Sequence, residues 1–127
     1  MSYLLDTHVL IWYFEDSLNI QERIVKLIDS DANKKYICSA SLWEIAIKTS
    51  IGKLDLKLSF NKLLKEIAHS DLVILQIEDE YLKRLSKLPF LHKDPFDRLI
   101  VSTALVDKLT IITADENIQK YNVPWVW

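Results

Sequence analysis

The chain has 127 residues, half of them apolar and 27% charged, with a formal net charge of −2. That suffices for one domain with its own core, and it argues against avid, non-specific nucleic-acid binding through the overall field. Its one cysteine, Cys38, excludes an internal disulfide, and its one glycine, Gly52, excludes a P-loop or a dinucleotide-binding turn.

Tyr3-Leu4-Leu5 reads as a short apolar strand closed by Asp6, followed by a helix over Val9 to Phe14 and another over Ile20 to Ile28. Tyr36-Ile37-Cys38 is a second strand, in which the thiol is expected to be buried and inert. Ser39 or Ser41 can cap a helix from Leu42 to Ile51, since Ser41 and Glu44 have capping-box spacing, and Gly52 ends it. Phe60 to Ala68 is amphipathic, Leu72 to Leu75 is a strand, and Glu78 to Leu85 is helical. Asp94 caps a helix from Pro95 to Val106, with proline at the first helical position where its missing N–H costs nothing. Leu109 to Thr113 is the clearest strand, and Val123 to Trp127 reads as a last one.

Strands alternating with helices imply an α/β sandwich, a mainly parallel central sheet flanked by helices. No repeat, low-complexity stretch or long linker divides the chain, so residues 1–127 read as a single domain. No apolar run reaches the roughly 18 residues of a membrane span, and the N-terminus lacks a signal-peptide pattern. A cytoplasmic location is expected.

Sites in open α/β sheets gather beyond the carboxyl ends of the strands. Asp6 lies at that edge, Asp115 just past its strand, Glu44 in the first turn of a helix leaving it, and Asp97 at the start of a helix returning to it. Such a carboxylate set suits Mg²⁺ or Mn²⁺, which take hard oxygen ligands; without a cation the acids would repel one another. A bound metal can activate water for attack on a phosphodiester. No nucleophile elbow, zinc-type histidine spacing or CxxC supports a rival chemistry.

Structural roles are also open to each acid. Asp94 can be a helix cap, Asp97 can favour the helix dipole with Arg98 as an exposed neighbour, Glu44 can pair with Lys48 one turn on, and Asp115 can cap a short helix through Lys120. Asp6 is harder to explain this way, because an acid ending a buried strand is costly unless ligated or hydrogen-bonded. Thr7 can orient a carboxylate. His8, His69 and His92 share no ligand spacing and are not expected to bind metal. The lysines between 48 and 65 form either a solvated face or a phosphate-contacting rim.

Three segments, Leu4-Leu5-Asp6-Thr7-His8-Val9-Leu10-Ile11-Trp12, Ser41-Leu42-Trp43-Glu44-Ile45-Ala46-Ile47-Lys48 and Asp94-Pro95-Phe96-Asp97-Arg98-Leu99-Ile100, closely resemble in order those of PIN-domain toxins of VapC type. Ile112-Thr113-Ala114-Asp115 matches the family's closing acidic motif more loosely. The resemblance implies a PIN fold, a Mg²⁺- or Mn²⁺-dependent endoribonuclease using metal-activated water, a cognate VapB-like antitoxin and a homodimer. It implies that Asp6, Glu44, Asp97 and Asp115 are catalytic and hold metal, with Asp94 either a further ligand or a cap. Lys48, Lys53, Lys57 and Arg98 become candidate RNA contacts. The alternative of another class is a PIN-like domain that binds a partner or RNA without cutting it. An intact set of repelling acids argues against that reading.

Overall fold

In the computed structural model, which describes residues 1–127, the chain runs β1 (Ser2–Leu5), α1 (Thr7–Phe14), α2 (Glu22–Asp29), β2 (Lys34–Cys38), α3 (Ser39–Ser50), α4 (Phe60–His69), β3 (Val73–Leu75), α5 (Asp79–Ser86), α6 (Pro95–Asp107), β4 (Thr110–Ile112), α7 (Glu116–Gln119) and β5 (Trp125–Val126). The strands form one sheet in the order β3-β2-β1-β4-β5, and every neighbouring pair is parallel. Parallel neighbours need crossovers rather than tight turns, which is why helices separate successive strands.

Both faces of the sheet are covered, so its central strands are apolar at consecutive positions rather than at alternate ones. Leu5 and Ile112 point into a core shared with Val9, Leu10, Ile24, Ile45, Leu63 and Ile67 from α1 to α4. Their neighbours Leu4 and Ile111 point the other way, onto Tyr81, Ile100, Val101 and Ala104 from α5 and α6. The result is the three-layer α/β sandwich with a parallel sheet that the sequence pattern implies. No helix is long and apolar enough to cross a membrane.

The helix starts lie within two residues of the sequence reading except that of α3, which lies three residues earlier. α3 begins at Ser39, directly after the extended Cys38, and no side chain caps it. Ser41 is therefore inside the helix and Glu44 is its sixth residue, not part of a capping box. The Ser41 hydroxyl instead meets Thr7 of α1, 3.0 Å away. At the other end Gly52 has φ +71°, a left-handed conformation that suits glycine just past a helix.

Candidate functional site

The site is built at the carboxyl edge of the three central strands. β1 pairs with β4 so that Leu5 faces Ile112, and the Asp6 N–H continues the ladder onto Ile112 O at 3.1 Å. The residue just after β4 is Thr113, whose hydroxyl donates to Asp6 Oδ2 and accepts the Asp115 N–H at 3.0 Å. Asp6 Oδ1 accepts the Val9 N–H at 2.8 Å, which makes Asp6 the N-cap of α1. Burial pushes the Asp6 carboxyl up to about 6 against the opposing pull of these hydrogen bonds and of His8, while Asp115 adds to the rise. Asp115 itself caps α7 by accepting the Asn117 N–H at 2.8 Å.

Glu44 projects from the second turn of α3 and is buried. Its Oε1 accepts the Thr7 hydroxyl at 2.7 Å, and its Oε2 accepts the Lys48 ammonium at 2.6 Å. With its single proton committed to Glu44, the Thr7 hydroxyl is left to accept from Ser41. Both carboxylate oxygens are thus held, one by a neutral donor and one by a cation.

α6 brings the third group. Asp94 caps it through Oδ1, which accepts the N–H groups of Phe96 at 2.8 Å and Asp97 at 3.1 Å. Its other oxygen is left over, so capping and ligation do not compete for the same atom. Asp97 Oδ2 lies 3.0 Å from His92 Nε2, and ligand atoms of His92, Asp94 and Asp97 all lie within 4.8 Å of one another. Burial, then the charges of Asp94 and Asp115, push the Asp97 carboxyl up to about 7; His92 opposes this, and Glu44 adds to it. Lys48, in turn, feels Asp94 and Asp97 besides Glu44, its main partner, and its pKa is raised. The acids singled out in the sequence are therefore electrostatic neighbours, gathered from four parts of the chain.

Not every expected residue joins them. Arg98 is buried rather than exposed, and it cannot offer its guanidinium to RNA. It donates to the Pro89 and Leu88 carbonyls at 3.0 and 3.4 Å and to the Tyr121 hydroxyl at 3.0 Å. Lys53 and Lys57 are exposed, and Lys48 is engaged by Glu44. His8 is exposed, tilted against Trp12, and with Asp6, Ala114 and Asp115 lines a cavity of about 200 Å³.

Three residues at the site escaped the sequence reading. Thr113 was available from strand pairing, since the register opposite β1 leaves it beside Asp6. Ser41 was misassigned as a cap. His92 gave no signal, because a loop residue reaches Asp97 by a path that no periodicity describes.

The sequence profile of the PIN domain matches residues 3–124. The chain belongs to the PIN domain family. No match was found among curated protein sequences. Among solved structures, this PIN domain is similar to VapBC2 from Rickettsia felis bound to a promoter DNA fragment, with TM-score 0.74 and 20% identity over 99% of this chain and 98% of that one. It is also similar to FitAcB from Neisseria gonorrhoeae, with TM-score 0.69 and 19% identity over 98% and 96% of the two chains. VapBC-1 from nontypeable Haemophilus influenzae gives TM-score 0.69 and 17% identity over 99% and 97%. At these identities the likeness is one of fold, over the whole length of the PIN domain.

Proposed function

We propose that residues 1–127 form a single PIN domain acting as a VapC-type toxin, a Mg²⁺- or Mn²⁺-dependent endoribonuclease of the cytoplasm. It would work as a homodimer and be inhibited by a VapB-like antitoxin. The observation that carries this reading is the gathering of Asp6, Glu44, Asp94, Asp97 and Asp115 at one sheet edge, where Asp6 and Asp97 are pushed up to about 6 and about 7. The toxin–antitoxin side rests on the similarity to VapBC proteins along the full chain.

The donor set fits a hard divalent cation. It consists of carboxylate oxygens, which Mg²⁺ and Mn²⁺ favour, and it holds more negative charge than Lys48 alone offsets. Asp6, Glu44, Asp97 and Asp115 would hold the ion, joined by the second oxygen of Asp94. When bound, the ion would supply positive charge at the scissile phosphate and lower the pKa of the attacking water.

The chain's own contribution is orientation. Thr113 and the Val9 N–H fix Asp6, Thr7 and Lys48 fix Glu44, and His92 fixes Asp97. Held carboxylates keep the site from reorganising when charge develops in the transition state. Lys48 would also be near enough to Asp94 and Asp97 to moderate their repulsion of an incoming phosphate.

Cleavage of mixed cellular RNA by antitoxin-free protein tests the reading, with Mg²⁺ or Mn²⁺, with chelator, and with the D97N protein. Discrete metal-dependent products that vanish in D97N are expected. No cleavage together with no divalent-cation binding would move the reading to a PIN domain that binds without cutting.

A further inference from the structure

Beside the Leu88–Leu91 segment, and lined by none of the site's carboxylates, lies a separate cavity of about 360 Å³, within the range of small-molecule sites. Arg84 and Lys87, at the end of α5, and Lys120, after α7, line it around an apolar floor that includes Leu88, Leu105 and Tyr121. No acid lines it, although the chain as a whole is acidic. None of the three cations is spent in a salt bridge. Lys120 makes only a 3.3 Å contact to the neutral Asn117 side chain.

Two features extend this charge towards the carboxylates. The buried Arg98 guanidinium, which has no carboxylate partner, donates to the Tyr121 hydroxyl and to two carbonyls of the same segment. It also lies 5.0 Å from the centre of the Phe90 ring, and that ring is 74% exposed. An aromatic ring held on one side by a cation and open on the other is a platform for a second flat group. Two residues further on, His92 bonds Asp97.

Unpaired cations ask for an anion, and an apolar floor beside a fixed aromatic ring asks for a flat, weakly polar group. A nucleotide carries both. We infer that the Arg84–Lys87–Lys120 pocket and Phe90 form an exosite for the RNA strand, which takes a phosphate on the cations and stacks a base on the ring. The inference rests on the nuclease reading for its polymer, while the pocket's geometry stands apart from the carboxylates. It gives an acidic protein a local means of holding substrate without a general affinity for nucleic acid.

The test is fluorescence anisotropy of a labelled random 12-nucleotide RNA on the full chain in chelator, where no cleavage occurs. The R84Q/K87Q/K120Q protein is expected to bind at least about tenfold more weakly, with a log–log salt slope shallower by about 2 for three lost phosphate-facing charges. F90A is expected to lose about tenfold. A K26Q/K34Q control, which removes exposed lysines elsewhere, is expected to change little. Unchanged affinity and slope in both site variants would overturn the exosite, as would competition by uridine monophosphate equal to that of the 12-mer, which would make the ligand a free nucleotide. RNA cleavage by wild-type protein alongside unchanged binding in the variants would sink the exosite and leave the nuclease. Pocket-dependent binding without cleavage under any divalent metal would do the reverse.

Discussion

Lys48 donates to Glu44 Oε2 at 2.6 Å, one helical turn along α3, and its charge also reaches Asp94 and Asp97. This ammonium is the cation that the fold itself supplies to the acid cluster. Removing it in K48Q leaves Glu44 with only the Thr7 hydroxyl and increases repulsion at the site. In chelator the variant is expected to lose about 1 kcal/mol, below the usual range of a charge-assisted hydrogen bond because Lys48 is partly exposed. That corresponds to roughly 3–5 °C in Tm. Added Mn²⁺ is expected to raise the Tm of K48Q by more than that of wild type, and scanning both proteins with and without metal checks it. An equal metal-induced rise would show that Lys48 does not offset the cluster's charge.

Asp97 offers a prediction in which stability and activity move in opposite directions. Its ionised form is opposed by burial and by Asp94, Asp115 and Glu44, so an amide of the same shape removes repulsion while His92 can keep its contact. D97N is expected to be more stable than wild type in chelator by on the order of 1 kcal/mol. The same change would cost at least about 100-fold in RNA cleavage if the residue holds the metal. Urea denaturation and a cleavage assay on one preparation measure both. A destabilised D97N would mean that the carboxylate is a structural anchor instead.

The pH dependence follows with a definite sign. Asp6 and Asp97 sit at about 6 and about 7 in the folded chain, above the 3.8 of a free aspartate. A carboxyl raised on folding contributes stability that is complete below about pH 4 and disappears as pH rises through its folded value. In chelator the protein is therefore expected to weaken between pH 4 and pH 7, by on the order of 3 kcal/mol from Asp6 alone. Divalent cations compete with these protons, so their stabilising effect is expected to grow over the same interval. Denaturation at pH 5 and pH 8, with chelator and with Mn²⁺, reads both trends. Stability that rises with pH in chelator would contradict the arrangement described.

What could be read from the sequence depended on how local the signal was. Asp6, Asp94, Asp97 and Asp115 were legible because each stands beside a strand end or a helix start, where an acid is unusual or informative, whereas Glu44 was read into the first turn of α3 and lies in the second. The three-layer fold was legible from apolar strands alternating with amphipathic helices. The start of α3 was misread because Ser41 had two uses for its hydroxyl, and only the approach of α1 decides that it meets Thr7 rather than a helix N–H. Arg98 was misread because charge predicts exposure, whereas here three oxygen acceptors bury it. His92 was invisible because its partner is fixed by the path of a loop, which carries no periodicity.

Arg98 gives the last prediction. Its guanidinium ties Leu88 and Pro89 to Tyr121, bracing the segment that carries His92 to Asp97. R98M would keep much of the packing and leave the buried Leu88 carbonyl and Tyr121 hydroxyl without this donor, at an expected cost of about 2–4 kcal/mol. R98K would recover only part of this, since an ammonium cannot span acceptors arranged for a planar fork. Urea denaturation of the three proteins orders them, with unchanged m-values if the native fold persists. Divalent-cation affinity, measured by calorimetry well below the denaturation midpoint, is expected to fall in R98M because Asp97 loses its brace. If R98M unfolds more easily but binds the cation as tightly as wild type, Arg98 stabilises the fold without positioning the site.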